Sequence, residues 1–141
     1  MDEVVSRWGL SDVRIVEIAL PKSEAGGNFR AAYSHVDAAE KLFANGQYKQ
    51  VLAELYSAFE ALAKSMDLPR PDQQFFADLL AELHPAKKDS AKRALDNFCD
   101  FLHLGRHEAN QAPEAFAISR GDARFALIMS EGVLEYITPK A

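Results

Sequence analysis

Cysteine is almost missing from this sequence, and its scarcity is the first constraint. A single residue, Cys99, among 141 cannot form an internal disulfide, which excludes a disulfide-stapled secreted scaffold. No apolar run reaches the length of a membrane span. The acidic start "MDEVVSRWG" lacks the basic opening and apolar core of a signal peptide. Seven glycines and six prolines are spread thinly, with no internal repeat and no low-complexity segment. There is no phosphate-cradling glycine loop, because Gly26-Gly27 lacks the flanking pattern. Positive charge is in the minority: 16 Lys and Arg against 21 Asp and Glu give a net charge of -5. That balance argues against the broad basic face of a general nucleic-acid binder, while leaving room for a local basic site. These absences predict a cytoplasmic protein, with Cys99 an inert thiol inside an apolar helical stretch.

What is abundant is helix-forming, apolar sequence. Hydrophobic residues make up 48% and charged residues 26% of a chain long enough for one domain with a real core. The segment "FRAAYSHVDAAEKLFANG" puts Ala32, Val36, Ala39 and Leu42 or Phe43 on one face, with Asn28 placed to cap its start and Gly46 to end it. The run "QYKQVLAELYSAFEALAKSMDL" carries a longer stripe of Tyr48, Val51, Leu52, Leu55, Phe59, Leu62 and Met66. The short link at Gly46 makes the two helices antiparallel neighbours. Pro69 and Pro71 stop the second. Pro71 suits the first position of a third helix over 71–84, with Asp72 near its positive end, and Phe75, Phe76, Leu79, Leu80 and Leu83 inside. Pro85 is read as its close.

A fourth helix is expected over about 90–104, burying Ala91, Ala94 or Leu95, Phe98 and Leu102, with Gly105 as its end. After an aperiodic loop containing Pro113, "SRGD" supplies Ser119 as a cap with Asp122 reaching back. The fifth helix then buries Ala123, Ala126, Leu127, Val133, Leu134 and Ile137, and Thr138-Pro139 terminates it. The first 28 residues differ. "DVRIVEIAL" is rich in β-branched residues and reads as extended, so residues 1–28 form an arm and 29–141 a helical domain. Trp8 is a candidate anchor for that arm. The expected fold is all-α: an antiparallel bundle of four or five helices with an extended N-terminal arm.

The pair "AAEKLFANGQYKQVLAELYSAFEALAKSM" is similar to the first helical hairpin of the HEPN superfamily, the higher eukaryotes and prokaryotes nucleotide-binding domains. The shared features are an Ala-rich helix, a Gly-x-Tyr turn and a second helix with an Ala-Leu-Glu-x-Leu-x-Lys pattern, here Ala58-Phe59-Glu60-Ala61-Leu62-Ala63-Lys64. "DFLHLGRHE" followed by "ISRGDARFALIMSEGVLEYI" resembles abortive-infection-type relatives, in which a polar Arg/His turn precedes a last helix beginning Asp-Ala. The resemblance covers residues 29–138. It implies a bacterial defence or toxin–antitoxin setting, and either a metal-independent ribonuclease or an associated partner. The family's catalytic mark is an Arg followed, after four to six residues, by a His. From Arg106 those positions are Gln111, Ala112 and Pro113, so the mark is absent.

The candidate site is the stretch His103-Leu-Gly-Arg106-His107-Glu108. In a ribonuclease, a histidine would take the proton of a 2′-hydroxyl and Arg106 would hold the phosphate. Candidate catalytic residues are therefore Arg106, His107, His103 and Glu108, with Glu60 of the second helix in support. As a metal site, His103 and His107 have the four-residue spacing of two helical ligands, and Glu108 or Asp100 would have to complete the set. As a helix terminus, Gly105 is the cap and the basic side chains complement the dipole. The last reading is the expectation, and no metal or cofactor is assigned. His35, His84, Lys87, Lys88, Arg120 and Arg124 are expected at core edges, caps or solvated faces.

Three functional readings follow. The leading one is a HEPN-like dimerisation and interaction module, expected as a homodimer and with room for another protein partner. The alternatives are a ribonuclease acting on RNA, and an adaptor domain of a larger protein. No membrane partner is expected.

Overall fold

In the computed structural model, which describes residues 27–107 and 117–138, five helices pack together. They are α1 (Gly27–Ala44), α2 (Tyr48–Ser65), α3 (Gln73–Leu79), α4 (Pro85–His103) and α5 (Arg120–Ile137), with a 3₁₀ turn at Leu104–Arg106. No strand occurs among the described residues, which are all-α as the apolar spacing implied. None of these helices is long and apolar enough to cross a membrane. The expected extended arm with Trp8, the loop expected after Gly105 over 108–116 and the expected stop at Pro139 fall outside the described residues. Gly27 and Asn28 belong to α1, so the helix starts before the expected cap at Asn28.

The α1–α2 hairpin turns as its glycine requires. Gly46 takes a φ of 77°, and the amides of Gly46 and Gln47 donate back to the carbonyls of Phe43 and Leu42 at 3.0 Å each. That pattern satisfies the orphan carbonyls at the end of α1. The same device ends α2, but with Asp67 at φ 60° in the glycine's place. There Leu68 donates to Ala63 at 2.9 Å and Asp67 to Lys64 at 3.0 Å. This reversal stops α2 at Ser65, ahead of Pro69 and Pro71, which were expected to do it.

The third and fourth helices divide the chain differently from the expectation. Asp72 caps α3, accepting from the amides of Gln74 at 3.0 Å and Phe75 at 3.3 Å. Pro71 therefore precedes the cap instead of opening the helix, and α3 has only seven residues. Pro85, read as a close, opens α4: His84 Nδ1 accepts from the Ala86 amide at 3.2 Å. Proline costs nothing at that position, where its missing N–H would have no partner anyway. The cap at Ser119 forms as expected, accepting from the Asp122 amide at 3.1 Å while Asp122 accepts from the Ser119 amide at 2.8 Å.

Helix α2 is the hub: α1, α4, α5 and the 3₁₀ turn all pack on it, and α3 packs on α4. The predicted stripes of α1 and α2 are buried at Ala32, Val36, Ala39, Val51, Leu52, Leu55, Phe59 and Leu62. Leu42, Phe43, Tyr48 and Met66 pack partly buried at the edge. Phe59 meets Phe76 and Phe98, each with ring centroids 6.4 Å apart, so one aromatic ties α2 to α3 and α4. In α4 it is Leu95 that is buried and Ala94 that is exposed. The hairpin's Ala32, Ala39, Ala58 and Ala63 are buried inside the bundle.

Candidate functional site

The 3₁₀ turn brings the polar stretch against the middle of α2, and Gly105 makes the contact feasible. A Cβ there would lie 2.5 Å from the Ala53 amide nitrogen and 2.7 Å from the Lys49 carbonyl oxygen. Gly105 is buried, and its backbone is not in the left-handed region. Its role is therefore close approach, and not the left-handed helix cap expected from the sequence. Lys49 fixes the end of the turn from the other side, its Nζ donating to the His107 carbonyl.

With the turn seated, Arg106 lies across α2. Its two terminal nitrogens donate to Glu60, Nη1 to Oε2 at 3.1 Å and Nη2 to Oε1 at 3.0 Å. Nη2 also donates to Ser57 Oγ at 2.8 Å. The guanidinium carbon sits 4.6 Å from the centre of the Tyr56 ring. A planar, forked donor that stacks on an aromatic face suits arginine and not lysine. The hydrogen bond from Arg106 holds the Glu60 carboxyl below its usual range, against the opposing effect of burial. Burial, followed by the charge of Glu60, pushes the Tyr56 phenol up.

His103 stands edge-on to Tyr56 with centroids 4.9 Å apart, and His107 stands edge-on to His103 at 5.8 Å. The sequence candidates Arg106, His103, His107 and Glu60 thus share one corner. Glu108 lies outside the described residues. Glu60 supports Arg106 instead of orienting a histidine. Tyr56 and Ser57 belong to the corner but were not singled out. Their signal was present in the sequence: both sit one turn before Glu60 on the predicted second helix. The two histidines stand together, one on either side of the 3₁₀ turn. Among the described residues no group of three His, Cys, Asp or Glu side chains is placed to hold a metal ion.

Beside this corner, a cleft of about 450 Å³ opens between α2, α4 and the start of α3, lined among others by Tyr56, Arg70, Gln73, Asp96, Asp100 and His103. Burial pushes the Asp96 carboxyl up, opposed by a hydrogen bond from Gln73 at 3.4 Å. Cys99 also reaches its wall but is buried, and burial pushes its thiol up, which keeps it protonated and unreactive. Two of the remaining candidates, His35 and Arg120, have ordinary partners. His35 Nδ1 meets Glu54 at 2.8 Å, and Arg120 stacks 5.1 Å from the centre of the Phe43 ring.

Helix α5 is apolar beyond the face it buries. Its inner face buries Ala123, Ala126, Ser130, Val133, Leu134 and Ile137. Away from that face Phe125, Ile128, Met129 and Tyr136 are 50%, 44%, 37% and 47% exposed, and the Phe125 ring stands edge-on to Phe98 and Phe101 of α4, with centroids 6.2 and 5.6 Å apart. Gly132 falls in the same row, and a Cβ there would meet nothing within 4 Å. Ile128, Met129 and Tyr136 thus leave apolar surface in solvent beside the buried face.

A scan of protein-family models, a search of curated proteins and a search of solved structures each return no match for this chain.

Proposed function

We propose that this chain is a HEPN-like helical module that works by associating with protein, itself included, through the outer face of α5. The bacterial defence or toxin–antitoxin setting rests on the sequence resemblance alone. The observation that carries the association is the strip of Ile128, Met129 and Tyr136, large apolar side chains left in solvent on one helix, with Phe125 half exposed beside them against Phe98 and Phe101. Contiguous apolar surface of this kind marks interaction sites on folded proteins.

The polar corner favours association over catalysis. Arg106 spends its charge on Glu60 and three of its hydrogen bonds on Glu60 and Ser57. Binding a phosphate would require giving up that pair, so the group is placed to brace the turn.

Light scattering on the full chain at micromolar concentration should return a mass above the 15.6 kDa of one copy. A monomer at every concentration would remove self-association from the reading. RNA incubated with the chain in EDTA should stay intact. Cleavage that disappears in His107→Ala would replace this reading with the ribonuclease.

A further inference from the structure

We propose that the cleft between α2, α4 and the start of α3 binds a small organic dication, a short aliphatic diamine. Its two ammonium groups pair with Asp96 and Asp100, and one of them donates to the Tyr56 hydroxyl. The volume of about 450 Å³ is that of a small-molecule site. Two separate observations point to a ligand there. The first is Tyr56, which lines the cleft with only 8% of the residue exposed, while its hydroxyl makes no hydrogen bond to a described residue. The charge of Arg70, another cleft residue, acts on that hydroxyl, so the polar end of the ring faces the cleft. An enclosed hydroxyl without a partner costs free energy that a ligand's donor recovers.

The second observation is negative charge without a counterpart. Arg70 is met by Asp72, Nε to Oδ2 at 3.5 Å. Asp100 forms no ion pair or hydrogen bond among the described residues, and Asp96 has only the hydrogen bond from Gln73 at 3.4 Å. Burial, and then the charges of Asp100 and Asp72, push the Asp96 carboxyl up against the Gln73 hydrogen bond and Arg70. A cation between the two carboxylates relieves that repulsion. An anion has no such place, because the free amides at the start of α3 are already taken by Asp72. The cation is larger than a metal ion, since no three of these side chains are placed to close on one. Residues four apart on a helix stand about 6 Å from each other, close to the separation of the two nitrogens in a four-carbon diamine. The methylenes between them lie against Pro71 and the edge of Tyr56, both on the cleft wall.

An NMR titration of the full chain with putrescine tests this, with butylamine as the single cation and magnesium as the competing ion. His103, one turn beyond Asp100, is positive only when protonated, so the titration is run near pH 8. Putrescine should give saturable shifts at the amides of Gln73, Asp96, Cys99 and Asp100, with a dissociation constant of about 0.1–1 mM at low salt. Butylamine should bind at least about tenfold more weakly, and Asp96→Asn/Asp100→Asn should cost putrescine at least about tenfold. Tyr56→Phe keeps the ring on which Arg106 stacks and should cost about threefold. Circular dichroism confirms that each variant folds. No saturable shift in the wild type overturns the site. Equal binding by the double aspartate variant or of butylamine overturns the pairing of two ammonium groups, and displacement by an equal concentration of magnesium reduces the cleft to a counter-ion cloud. A Tyr56→Phe chain that binds as well as wild type removes the hydroxyl contact. None of these outcomes depends on whether the chain associates through α5.

Discussion

Arg106 grips Glu60 with two hydrogen bonds across 46 positions of sequence, and the grip fastens the turn after α4 to the middle of α2. The pair is partly exposed, with a third of the arginine side chain in contact with solvent, so its worth is that of a well-formed surface pair and not of a buried one. A double-mutant cycle with Arg106→Ala and Glu60→Ala should give a coupling of about 1 kcal/mol. Arg106→Lys should recover little of it, because an ammonium cannot make both forked bonds or lie flat on Tyr56. The coupling has a pH signature. A carboxyl whose folded value is held below 4.5 stabilises the fold above that pH, and the contribution is lost as pH falls through the lowered value. Urea midpoints from pH 3 to 6 check this, and a coupling unchanged across that range would refute it.

Gly105 should tolerate no side chain. In Gly105→Ala the new methyl would collide with two backbone atoms of α2, at 2.5 and 2.7 Å, and neither can swing away as a side chain would. The turn must lift off α2, carrying Arg106 from Glu60. The expected loss is about 2–3 kcal/mol in chemical denaturation, the cost typical of overpacking. Gly132→Ala is the control with the opposite sign. Its Cβ meets nothing, so the gain in helix propensity should stabilise the fold of a single copy by up to about 1 kcal/mol.

The helices that could be located from the sequence were those with long stripes, and their buried faces agree with the spacing: α1, α2 and α5 are the cases. Around α3 and α4 the punctuation misled, because proline before a helix and proline after one look alike in a string of residues. Pro85 fits both roles until the Nδ1 of His84 is seen to accept from the Ala86 amide. At the site, residue types made His103, Arg106 and His107 visible, but their engagement was not. Whether Arg106 is free for a ligand or held by Glu60 depends on how close the turn approaches α2. That is decided by the missing Cβ of Gly105, which a sequence reader assigns by default to a helix cap. The outer row of α5 was hidden for another reason. On a helix that buries one face, further apolar residues count toward a wider buried stripe until solvent exposure separates the two sides.

Asp67 marks a place where the chain carries avoidable strain. It is the one non-glycine residue among those described with a positive φ, and it occupies the position that glycine fills at the end of α1. Asp67→Gly should therefore stabilise the fold by about 0.5–1 kcal/mol, because the left-handed conformation costs glycine nothing. Equilibrium denaturation would show the gain. An unchanged or lowered midpoint would mean that the Asp67 side chain contributes something that offsets its backbone.

Glu131 supplies a pH dependence of the opposite kind to Glu60. Burial against α1, then a hydrogen bond and charge from Glu40 and the charge of Asp37, raise its carboxyl from 4.5 to about 7. Below 4.5 the group is protonated in both folded and unfolded chains, and its contribution to stability is fully present. As pH rises through about 7 the folded protein must ionise a half-buried carboxylate beside two others, and that contribution is lost. Wild type should therefore become less stable between about pH 5 and 7.5. Glu131→Gln keeps the shape and removes the titration, so the difference between the two proteins should grow in favour of the variant across that interval. Urea midpoints at several pH values give the curve directly. Parallel curves for the two proteins would place the carboxyl in ordinary solvent and remove the pairing with Glu40 as a cause.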